Sequence, residues 1–444
     1  YLSLYIVLFA IIYHLISKYI LAKYPTDRKI SEILLVLLGP SLWVLIEWLR
    51  AAGQFGIPAG SLAYSQYTVL PLIQNAALFG IWFLAFLIVA VNAVLARIFL
   101  NILQVEPERK TPWKLLLSIS LVLLVVFSAA WVYGIYALRA DQHKDIKARH
   151  IKVALFQPNL PQEMKLDPGT FQENKQMFLT ETRRYTKLEK PDLMIWPETI
   201  VPEILLRDRY FIFMIKEAAR THVLFGTPTL ENNRIYNTMV LLSPQGKEIS
   251  MYHKFHLVPF GEYLPFKKLL WPFLKATNFF QDDYSSGPAE QPFITPWGKM
   301  ACGICFESTL PNLIRVQVSR GASFITIITN DAWFKQTAAL EQHLAMSVFR
   351  AVENRRWLLQ DANTGYSAVV EPTGKIRQKS QLEKQLWLTD QIALRLDRSL
   401  YTIFGDKLLF LPLIFILSFL YQALRYFYKL RKAAKYELLR REMQ

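Results

Sequence analysis

Three residues that together can carry out acyl chemistry are spread through the second half of the chain: Glu198, Lys254 and Cys305. A cysteine is nucleophilic as its thiolate, and a free thiol with a pKa of ~8.5 is mostly protonated at neutral pH. A carboxylate whose pKa is raised by partial burial can accept that proton. A nearby ammonium favours the thiolate and then the oxyanion that forms when a carbonyl is attacked. We therefore predict a nucleophilic set, although each residue alone is more often a solvated or core residue.

Short apolar runs that alternate with amphipathic stretches must position these side chains. The predicted strands are Val153–Phe156, Leu193–Trp196, Val223–Phe225, Thr238–Leu242, Ala301–Phe306 and Phe324–Thr329. The clearest predicted helices between them are Phe171–Leu188 and Ala339–Trp357,. Glu198 and Cys305 lie at the carboxyl ends of two predicted strands, a common position for active-site residues in α/β proteins. The pattern predicts an α/β layered domain whose helices cover a sheet.

The composition separates this domain from a membrane part. Of 444 residues, 52% are hydrophobic and only 19% are charged, which is too apolar for an ordinary soluble protein. Two cysteines and the absence of low-complexity tracts exclude a disulfide scaffold and a disordered chain,. Five segments are long and apolar enough to be membrane spans. They are Tyr1–Ser17, Ile30–Leu49, Ala76–Leu103, Lys114–Leu138 and Leu408–Phe427.

The distribution of Lys and Arg orients these spans. The loops after the first and third spans and the tail from Arg425 are basic, whereas residues 51–74 carry no charge. By the positive-inside rule, the soluble domain lies outside the cytoplasm. We predict N-terminal membrane helices over 1–139, a catalytic domain over 140–403, a last span over 404–430 and a basic cytoplasmic tail over 431–444. Tyr1 is not Met and lies in an apolar run, so we expect a preceding part of the protein.

The net charge of +16 indicates contact with anionic lipid through the basic tail, and we predict no nucleic-acid partner. The uncharged stretch from Gly53 to Gly60, followed by Tyr64, either receives a lipid head group or is a connecting loop. Glu47 and Arg50, three residues apart near a helix end, are predicted to form a local ion pair.

Four blocks of sequence resemble a known family. Trp196-Pro-Glu198, then Lys254, then Cys305 resembles the nitrilase, or carbon–nitrogen hydrolase, superfamily. More narrowly, the apolipoprotein N-acyltransferase family is resembled in four places. They are Lys254 to Pro-Phe-Gly-Glu262-Tyr-Leu-Pro265; Gly303-Ile-Cys305-Phe-Glu307; Asn330-Asp-Ala-Trp-Phe334 with Glu341-Gln-His343 and Arg350; and Pro40, Trp43, Glu47 and Arg50 before Tyr64-Ser-Gln66.

This resemblance implies an αββα sandwich inserted between transmembrane helices, with Glu198, Lys254 and Cys305 as catalytic triad and Glu262 and Glu307 as supporting carboxylates. It implies a cofactor-free acyltransferase of the bacterial inner membrane, with its catalytic domain in the periplasm. That enzyme takes an acyl chain from a phospholipid through a cysteine thioester and transfers it to the α-amino group of the diacylglyceryl-cysteine of a lipoprotein. The candidate substrate contacts are Phe306, Trp333, Trp271, Phe273 and Tyr64.

Two positions depart from the family pattern. Phe306 follows the cysteine where many members have Tyr, and Leu166 stands where Trp is frequent. Both concern acyl or lipid contacts. The apolar segment Phe266–Ser286 is either an arm that dips into lipid and shields the thioester, or core packing.

Several alternatives use the same residues differently. Cys302 and Cys305 form a C-x-x-C, the pattern of a redox-active cysteine pair, but on a predicted strand the two sulfurs would point to opposite faces. His253 and His256 lack good metal-ligand spacing, so we predict no metal site. His343 is either a packing residue or a functional one. A membrane-tethered amidase or nitrilase would use the same triad with water as the acceptor, and a lipid-binding scaffold would not need the triad.

Overall fold

The computed structural model describes residues 2–105, 111–268, 272, 283–288 and 292–442. Its helices are α1 (Leu2–Lys23), α2 (Arg28–Ala51), α3 (Leu70–Ile73), α4 (Ala76–Phe79), α5 (Ile81–Ile102), α6 (Trp113–Asp141), α7 (Gln162–Leu166), α8 (Phe171–Glu189), α9 (Arg209–Ala219), α10 (Pro311–Ser319), α11 (Ala339–Asn354), α12 (Leu400–Phe404) and α13 (Phe410–Glu442). Its strands are β1 (His150–Gln157), β2 (Leu193–Ile195), β3 (His222–Glu231), β4 (Arg234–Leu242), β5 (Glu248–His253), β6 (Phe293–Thr295), β7 (Gly298–Ile304), β8 (Ala322–Thr329), β9 (Leu358–Ala362), β10 (Ala368–Val370), β11 (Ile376–Lys379) and β12 (Leu386–Ala393).

Within the described ranges, five helical stretches are long and apolar enough to cross a membrane: α1, α2, α5, α6 and the stretch that contains α13,. Asp27 fixes the start of α2, because its side chain accepts a hydrogen bond from the main-chain N–H of Ile30 at 3.1 Å,. Large apolar side chains along α1, α6 and α13 are exposed. A lipid environment accounts for such surfaces, so these helices belong to a membrane part.

The third predicted span differs from the observed helices. The segment Ala76–Leu103 is not one helix, because α4 ends at Phe79 and α5 begins at Ile81. Gly80 between them has φ +68°, and a Cβ there would lie 2.6 Å from the ring of Tyr401. The chain therefore turns at the one residue type that tolerates both this backbone conformation and this close contact.

The predicted ion pair between Glu47 and Arg50 is wrong. The described salt bridges do not include it; instead Glu47 accepts hydrogen bonds from Trp43 Nε1 at 2.8 Å and Ser61 Oγ at 2.7 Å. It also accepts one from the main-chain N–H of Leu62 at 3.1 Å. A buried carboxylate in α2 therefore holds the loop that follows this helix, since several donors offset the cost of its burial.

The α/β domain is built on two six-stranded sheets. Their strand orders are β12-β1-β2-β3-β4-β5 and β11-β10-β9-β8-β7-β6. Strands β1, β2 and β3 are parallel, as are β7, β8 and β9, while the outer pairs are antiparallel. The central strands are mostly buried and mostly apolar, as expected when both faces of a sheet are covered,.

Three apolar layers hold the sheets and helices together. The inner faces of both sheets meet in one core, for example through Leu155 and Ile195 from one sheet and Phe324 and Leu359 from the other. Helices α8 and α9 cover the outer face of the first sheet. Helices α10 and α11 cover the second and continue into the membrane part through residues such as Tyr64. The predicted αββα sandwich beside membrane helices is confirmed.

Candidate active site

Glu198 is fixed where β2 ends. The main-chain N–H of Trp196 still donates to Leu224 O at 2.8 Å, but Pro197 has no N–H to extend the ladder,. Glu198 is 8% exposed. Its carboxylate accepts hydrogen bonds from Asn237 Nδ2 at 2.8 Å and from the main-chain N–H of Asn330 at 3.0 Å. Because Asn330 follows β8 of the other sheet, these contacts bring the strand ends of both sheets to one place.

The close passage of Glu198 over the sheet requires a glycine on β3. A Cβ added at Gly226 would lie 2.6 Å from the Thr199 nitrogen and 2.7 Å from Glu198 Cα. Both are main-chain atoms, so no side-chain rotation relieves the contact. Gly226 therefore sets the height of Glu198 above the sheet.

Lys254 directly follows β5 and is 1% exposed. Its Nζ lies 2.8 Å from Glu262 Oε1 and 3.9 Å from Glu198 Oε1. Burial alone would lower the pKa of Lys254, but the carboxylates of Glu262 and Glu198 raise it above its usual value,. The group is therefore a permanent ammonium between two carboxylates.

Glu262 completes a ring of polar contacts around this ammonium. Its Oε1 also accepts a hydrogen bond from Asn237 Nδ2 at 3.1 Å, and its Oε2 accepts one from the main-chain N–H of Val258 at 2.9 Å. Asn237 thus donates to both Glu198 and Glu262. The sequence reasoning missed Asn237, whose only signal was an amide beside the apolar second half of β4.

Cys305 begins a 3₁₀ turn (Cys305–Thr309) just after β7. The prediction that the strand runs to Phe306 is wrong, because Cys305 has φ +52° and leaves the pleat there. This left-handed conformation is costly for a residue with a Cβ and marks a position that the surrounding fold must hold. Burial and the Glu198 carboxylate raise the pKa of the Cys305 thiol, and Lys254 opposes them. The resting sulfur is therefore a thiol that needs a base.

Glu307 lies two residues after Cys305 in the same 3₁₀ turn and is fully buried. Its Oε2 accepts a hydrogen bond from the main-chain N–H of Ile304 at 2.8 Å. Its Oε1 accepts hydrogen bonds from the main-chain N–H groups of Phe255 and His256, at 2.8 and 2.9 Å, and from Tyr252 OH at 3.0 Å. One buried carboxylate thus ties the end of β7 to the loop after Lys254. Burial raises its pKa to about 7.

His343 lies behind the cysteine turn. Its Nε2 is 2.7 Å from Ser308 Oγ and 3.2 Å from Cys305 O, and its Nδ1 is 2.9 Å from Asp331 Oδ1. Nδ1 faces a carboxylate and therefore donates, while Nε2 faces both a hydroxyl, which can donate to it, and a carbonyl oxygen, which can only accept. Asp331 raises the pKa of His343 above its usual value, against the effect of burial,. The structure therefore gives His343 a supporting position beneath Cys305.

Cys302 lies in β7 and is fully buried in the core between the sheets. Both cysteines are free. Burial raises the pKa of the Cys302 thiol well above its usual value, so this thiol is a small core residue. Among the residues that the structure describes, no group of three His, Cys, Asp or Glu side chains is placed to hold a metal ion.

The predicted substrate contacts fall in different surroundings. Tyr64 is 5% exposed and packs edge-to-face on Phe349, with ring centroids 5.4 Å apart, which favours a packing role. Phe306 is half-buried beside the ring of His256, and Trp333 is 70% exposed on the turn after β8. Trp271, Phe273 and most of the segment Phe266–Ser286 lie outside the described residues.

A cavity of about 580 Å³ lies between the membrane part and the α/β domain. Its walls include Trp48 and Gln54 from α2 and its following loop, and His256 and Leu257 from the loop that follows Lys254. Asp406 also lines it and accepts hydrogen bonds from the indoles of two tryptophans that reach it from α2 and α5. A space of this size, with apolar walls and few polar groups, suits an organic ligand.

Two family profiles match this chain, one in each of its two parts. The carbon-nitrogen hydrolase family profile matches residues 152–396. The profile of the apolipoprotein N-acyltransferase N-terminal domain matches residues 1–94.

Similar whole proteins carry one name. The apolipoprotein N-acyltransferase of Geobacter metallireducens is 36% identical over 387 residues, which covers 86% of this chain and 72% of that protein. The apolipoprotein N-acyltransferase of Rickettsia typhi is 32% identical over 387 residues, covering 85% and 74%. Among solved structures, Saccharomyces cerevisiae Nit3 aligns with a TM-score of 0.41 at 22% identity, over 55% of this chain and 90% of its own. A carbon-nitrogen hydrolase from Helicobacter pylori aligns with a TM-score of 0.45 at 15% identity, over 58% and 94%.

Proposed function

Because this chain belongs to the apolipoprotein N-acyltransferase family, we propose that Glu198, Lys254 and Cys305 are the residues with which it transfers acyl groups. The chain is an acyltransferase with a carbon–nitrogen hydrolase domain beside membrane helices. The donor is proposed to be a membrane phospholipid, and the acceptor the α-amino group of a lipoprotein's diacylglyceryl-cysteine. The observation that supports this most strongly is the Glu198–Lys254–Glu262 ring at the turn that begins with Cys305.

The first half of the reaction forms the thioester. Glu198 takes the proton of Cys305, and the sulfur attacks the ester carbonyl carbon of the phospholipid. Lys254 Nζ and a main-chain N–H of the cysteine turn stabilise the tetrahedral oxyanion. The carbon–oxygen bond to the glycerol then breaks, and Glu198 returns the proton to the leaving oxygen, so lysophospholipid departs and Glu198 is again a carboxylate.

The second half uses the same base for an amine. Glu198 accepts a proton from the α-amino group as its nitrogen attacks the thioester carbonyl. The carbon–sulfur bond breaks, and the Cys305 sulfur recovers the proton from Glu198 as the amide product leaves. Water must be kept from the thioester between the two halves, and a site next to the bilayer favours the amine over water.

The supporting carboxylates have separate proposed roles. Glu262 lies 2.8 Å from Lys254 Nζ and keeps this ammonium aimed at the reacting carbonyl. Glu307 instead shapes the loop after Lys254, by accepting hydrogen bonds from its main chain. The cavity beside Trp48 and His256 is the proposed place for part of the donor, since the loop after Lys254 lines it.

Intact mass of the purified enzyme after incubation with phospholipid tests this function. We expect a gain of one fatty acyl group that hydroxylamine removes. Cys305→Ala should lack the adduct, and the matched variant Cys302→Ala, three residues earlier, should keep it. Neither change should unfold the protein, because removing one small side chain costs about 1 kcal/mol. Turnover of small amides without an adduct would favour the hydrolase alternative, and loss of the adduct in Cys302→Ala would reopen the redox interpretation.

We also propose a division into membrane helices over 1–139, a catalytic domain over 140–403, a last span over 404–430 and a basic tail over 431–444. The catalytic domain faces the periplasm, and the tail faces the cytoplasm. The positive charges of the short loops and tail support this orientation,. Protease added to intact spheroplasts should cut the catalytic domain and spare the tail, and inverted membrane vesicles should give the reverse; the opposite pattern would overturn the orientation.

A further inference from the structure

A second buried lysine, Lys165, lies beside the catalytic carboxylate. It belongs to α7 and is 3% exposed. Its Nζ donates a hydrogen bond to the main-chain oxygen of Glu198 at 2.8 Å. This is the one hydrogen bond of that ammonium to the described residues, which leaves two of its three N–H donors unused by them.

The segment that carries Lys165 is anchored to the strand ends. Asn330 Nδ2 donates to Gln162 Oε1 at 2.9 Å, at the start of α7. Asn363, at the end of β9, exchanges hydrogen bonds with the main-chain N–H and O of Leu160, at 3.2 and 3.0 Å. The asparagines that follow two strands of the second sheet thus hold this short helix in place. The position of Lys165 is therefore fixed by the packing of the domain.

The charged and titratable groups near Lys165 and Glu198 lie on several different elements. Glu198 after β2 and Cys305 after β7 interact with Lys165 itself. Lys254 and Glu262 after β5 and His343 on α11 interact with Glu198, and Asp331 after β8 interacts with Cys305. Burial raises the pKa of Glu198, and Lys254 and Lys165 both oppose this rise. Lys254 already has a carboxylate partner in Glu262, whereas Lys165 has none among the described residues.

We propose that Lys165 is a positioning residue that fixes the main chain at Glu198 and, by its positive charge, keeps the Glu198 side chain ionised and able to take the proton of Cys305. This inference rests on the proposed thioester chemistry at Cys305. It adds a second ammonium to the Glu–Lys–Cys set, and the two ammonium groups act differently. Lys254 faces the developing oxyanion, and Lys165 acts through the base.

A buried lysine with few partners titrates near neutrality. Burial lowers the pKa of Lys165 to about 8, although Glu198 and Cys305 oppose the effect,. The ammonium is therefore present at pH 7 and is lost above about pH 8. Its help to Glu198 matters most at acidic pH, where Glu198 would otherwise be protonated, and disappears at alkaline pH, where Glu198 is ionised without it.

The experiment is a pH profile of thioester formation in the full-length enzyme. Single-turnover acylation by phospholipid in detergent micelles is followed by intact mass from pH 5.5 to pH 9. We expect Lys165→Met to acylate about tenfold more slowly than wild type at pH 6, since one neighbouring charge shifts a pKa by about one unit or more. The deficit should close above about pH 8.5, and Lys165→Arg, which keeps the charge, should retain the wild-type profile.

Lys175→Met is the matched control. Lys175 is also buried, but its Nζ pairs with Glu203 at 2.6 Å and with Asp208 at 2.9 Å, away from the cysteine. It should leave the shape of the pH profile unchanged. A deficit that is the same at all pH values, no deficit, or an equal shift in Lys175→Met would overturn the inference.

Two further outcomes are distinguishable. If Lys165→Met does not fold, Lys165→Gln replaces it, because glutamine removes the charge but keeps a hydrogen-bond donor for Glu198 O. Lys165→Gln should show the same pH-dependent deficit in acylation. Failure of both variants to fold would assign Lys165 a structural role and overturn the inference. If the wild-type enzyme forms no adduct, the proposed function fails. If wild type forms it and Lys165→Met keeps the wild-type profile, this inference alone fails.

Discussion

At the level of single residues, the geometry of the site depends on buried polar groups that are held by several hydrogen bonds each. Asn237 binds two carboxylates at once, and Glu307 accepts four hydrogen bonds. Leaving one such group without its partner costs about 1–3 kcal/mol. These residues therefore stabilise one geometry of Glu198 and Cys305 and exclude looser ones.

The contact between His343 and Asp331 makes stability depend on pH. Burial alone would lower the pKa of His343, but Asp331 raises it above its usual value. Because the pKa of His343 is higher in the folded than in the unfolded protein, protonation of His343 increases the free energy of unfolding. This contribution is complete below about pH 6.5 and is lost as the pH rises through the folded-state pKa. We expect His343→Gln to lower the thermal unfolding midpoint more at pH 6 than at pH 9.

His222→Gln is the control for that measurement. Burial lowers the pKa of His222, so its own contribution has the opposite sign, and its replacement should not become more harmful on acidification. An equal drop in midpoint for His343→Gln at both pH values would show that the imidazolium contact does not contribute.

At the level of secondary-structure elements, the site is made by strand ends and by the turns that follow them. The strand β2 ends two residues before a proline, β7 ends just before a cysteine with positive φ, and β3 carries a glycine beneath the main chain of Glu198. The loop after α2 is likewise shaped by one buried carboxylate, Glu47. Small main-chain features therefore place the reacting groups, and changing them should affect chemistry before it affects the overall fold.

Gly226→Ala tests this idea. The added Cβ would press on the main chain of Glu198 and Thr199 at 2.7 and 2.6 Å, and overpacking of this kind costs about 1–3 kcal/mol. Because a misplacement of about 1 Å can cost a hundredfold in rate, we expect at least a tenfold slower acylation of Cys305, measured by intact mass.

Gly169→Ala is the comparison, since its added Cβ would meet only the Asp167 carboxyl group at 3.3 Å on the exposed surface. It should acylate at the wild-type rate. A Gly226→Ala enzyme that acylates normally would show that the sheet yields and that Gly226 does not set the position of Glu198.

At the level of the whole protein, ion pairs and packing attach the catalytic domain to the membrane helices. Arg395, just after β12, makes a two-pronged contact with Asp141 at the end of α6, with both distances 2.8 Å. It also reaches Asp397 at 3.1 Å. Gln74, just after α3, accepts a hydrogen bond from Arg355 just after α11. The two parts therefore meet through buried polar contacts as well as apolar ones.

Arg395→Ala should loosen this seat. Removing one partner of a buried ion pair leaves a carboxylate uncompensated and costs about 3–5 kcal/mol. We expect a lower thermal unfolding midpoint in detergent and faster proteolysis between α6 and β1. Lys144→Ala removes the exposed member of the same cluster and should change the midpoint little, because exposed pairs contribute about 0–1 kcal/mol. Equal effects of the two variants would contradict a buried seat at Arg395.

Local patterns along the chain were sufficient to predict the two-part organisation, most of the central strands and the identity of the candidate triad. Apolar runs and local charge are properties of neighbouring residues, so the spans and the strands β1 to β4, β7 and β8 could be predicted from them. The order Glu198, Lys254, Cys305 could be recognised because the motifs around them are contiguous. The antiparallel outer strands, such as β11 and β12, were missed because their half-exposed sides lack a continuous apolar run.

How those residues meet could be learned only from the folded arrangement. Lys165 and Asn237 are distant from each other in sequence, and their contacts with Glu198 form only when the first sheet brings the segments at β1, β2 and β4 together. The partners of Glu47 likewise include the hydroxyl of Ser61 and the main-chain N–H of Leu62, which only the folded loop brings to α2. The charge state of a buried group depends on its neighbours in space, and the spacing of residues along a chain does not specify those neighbours.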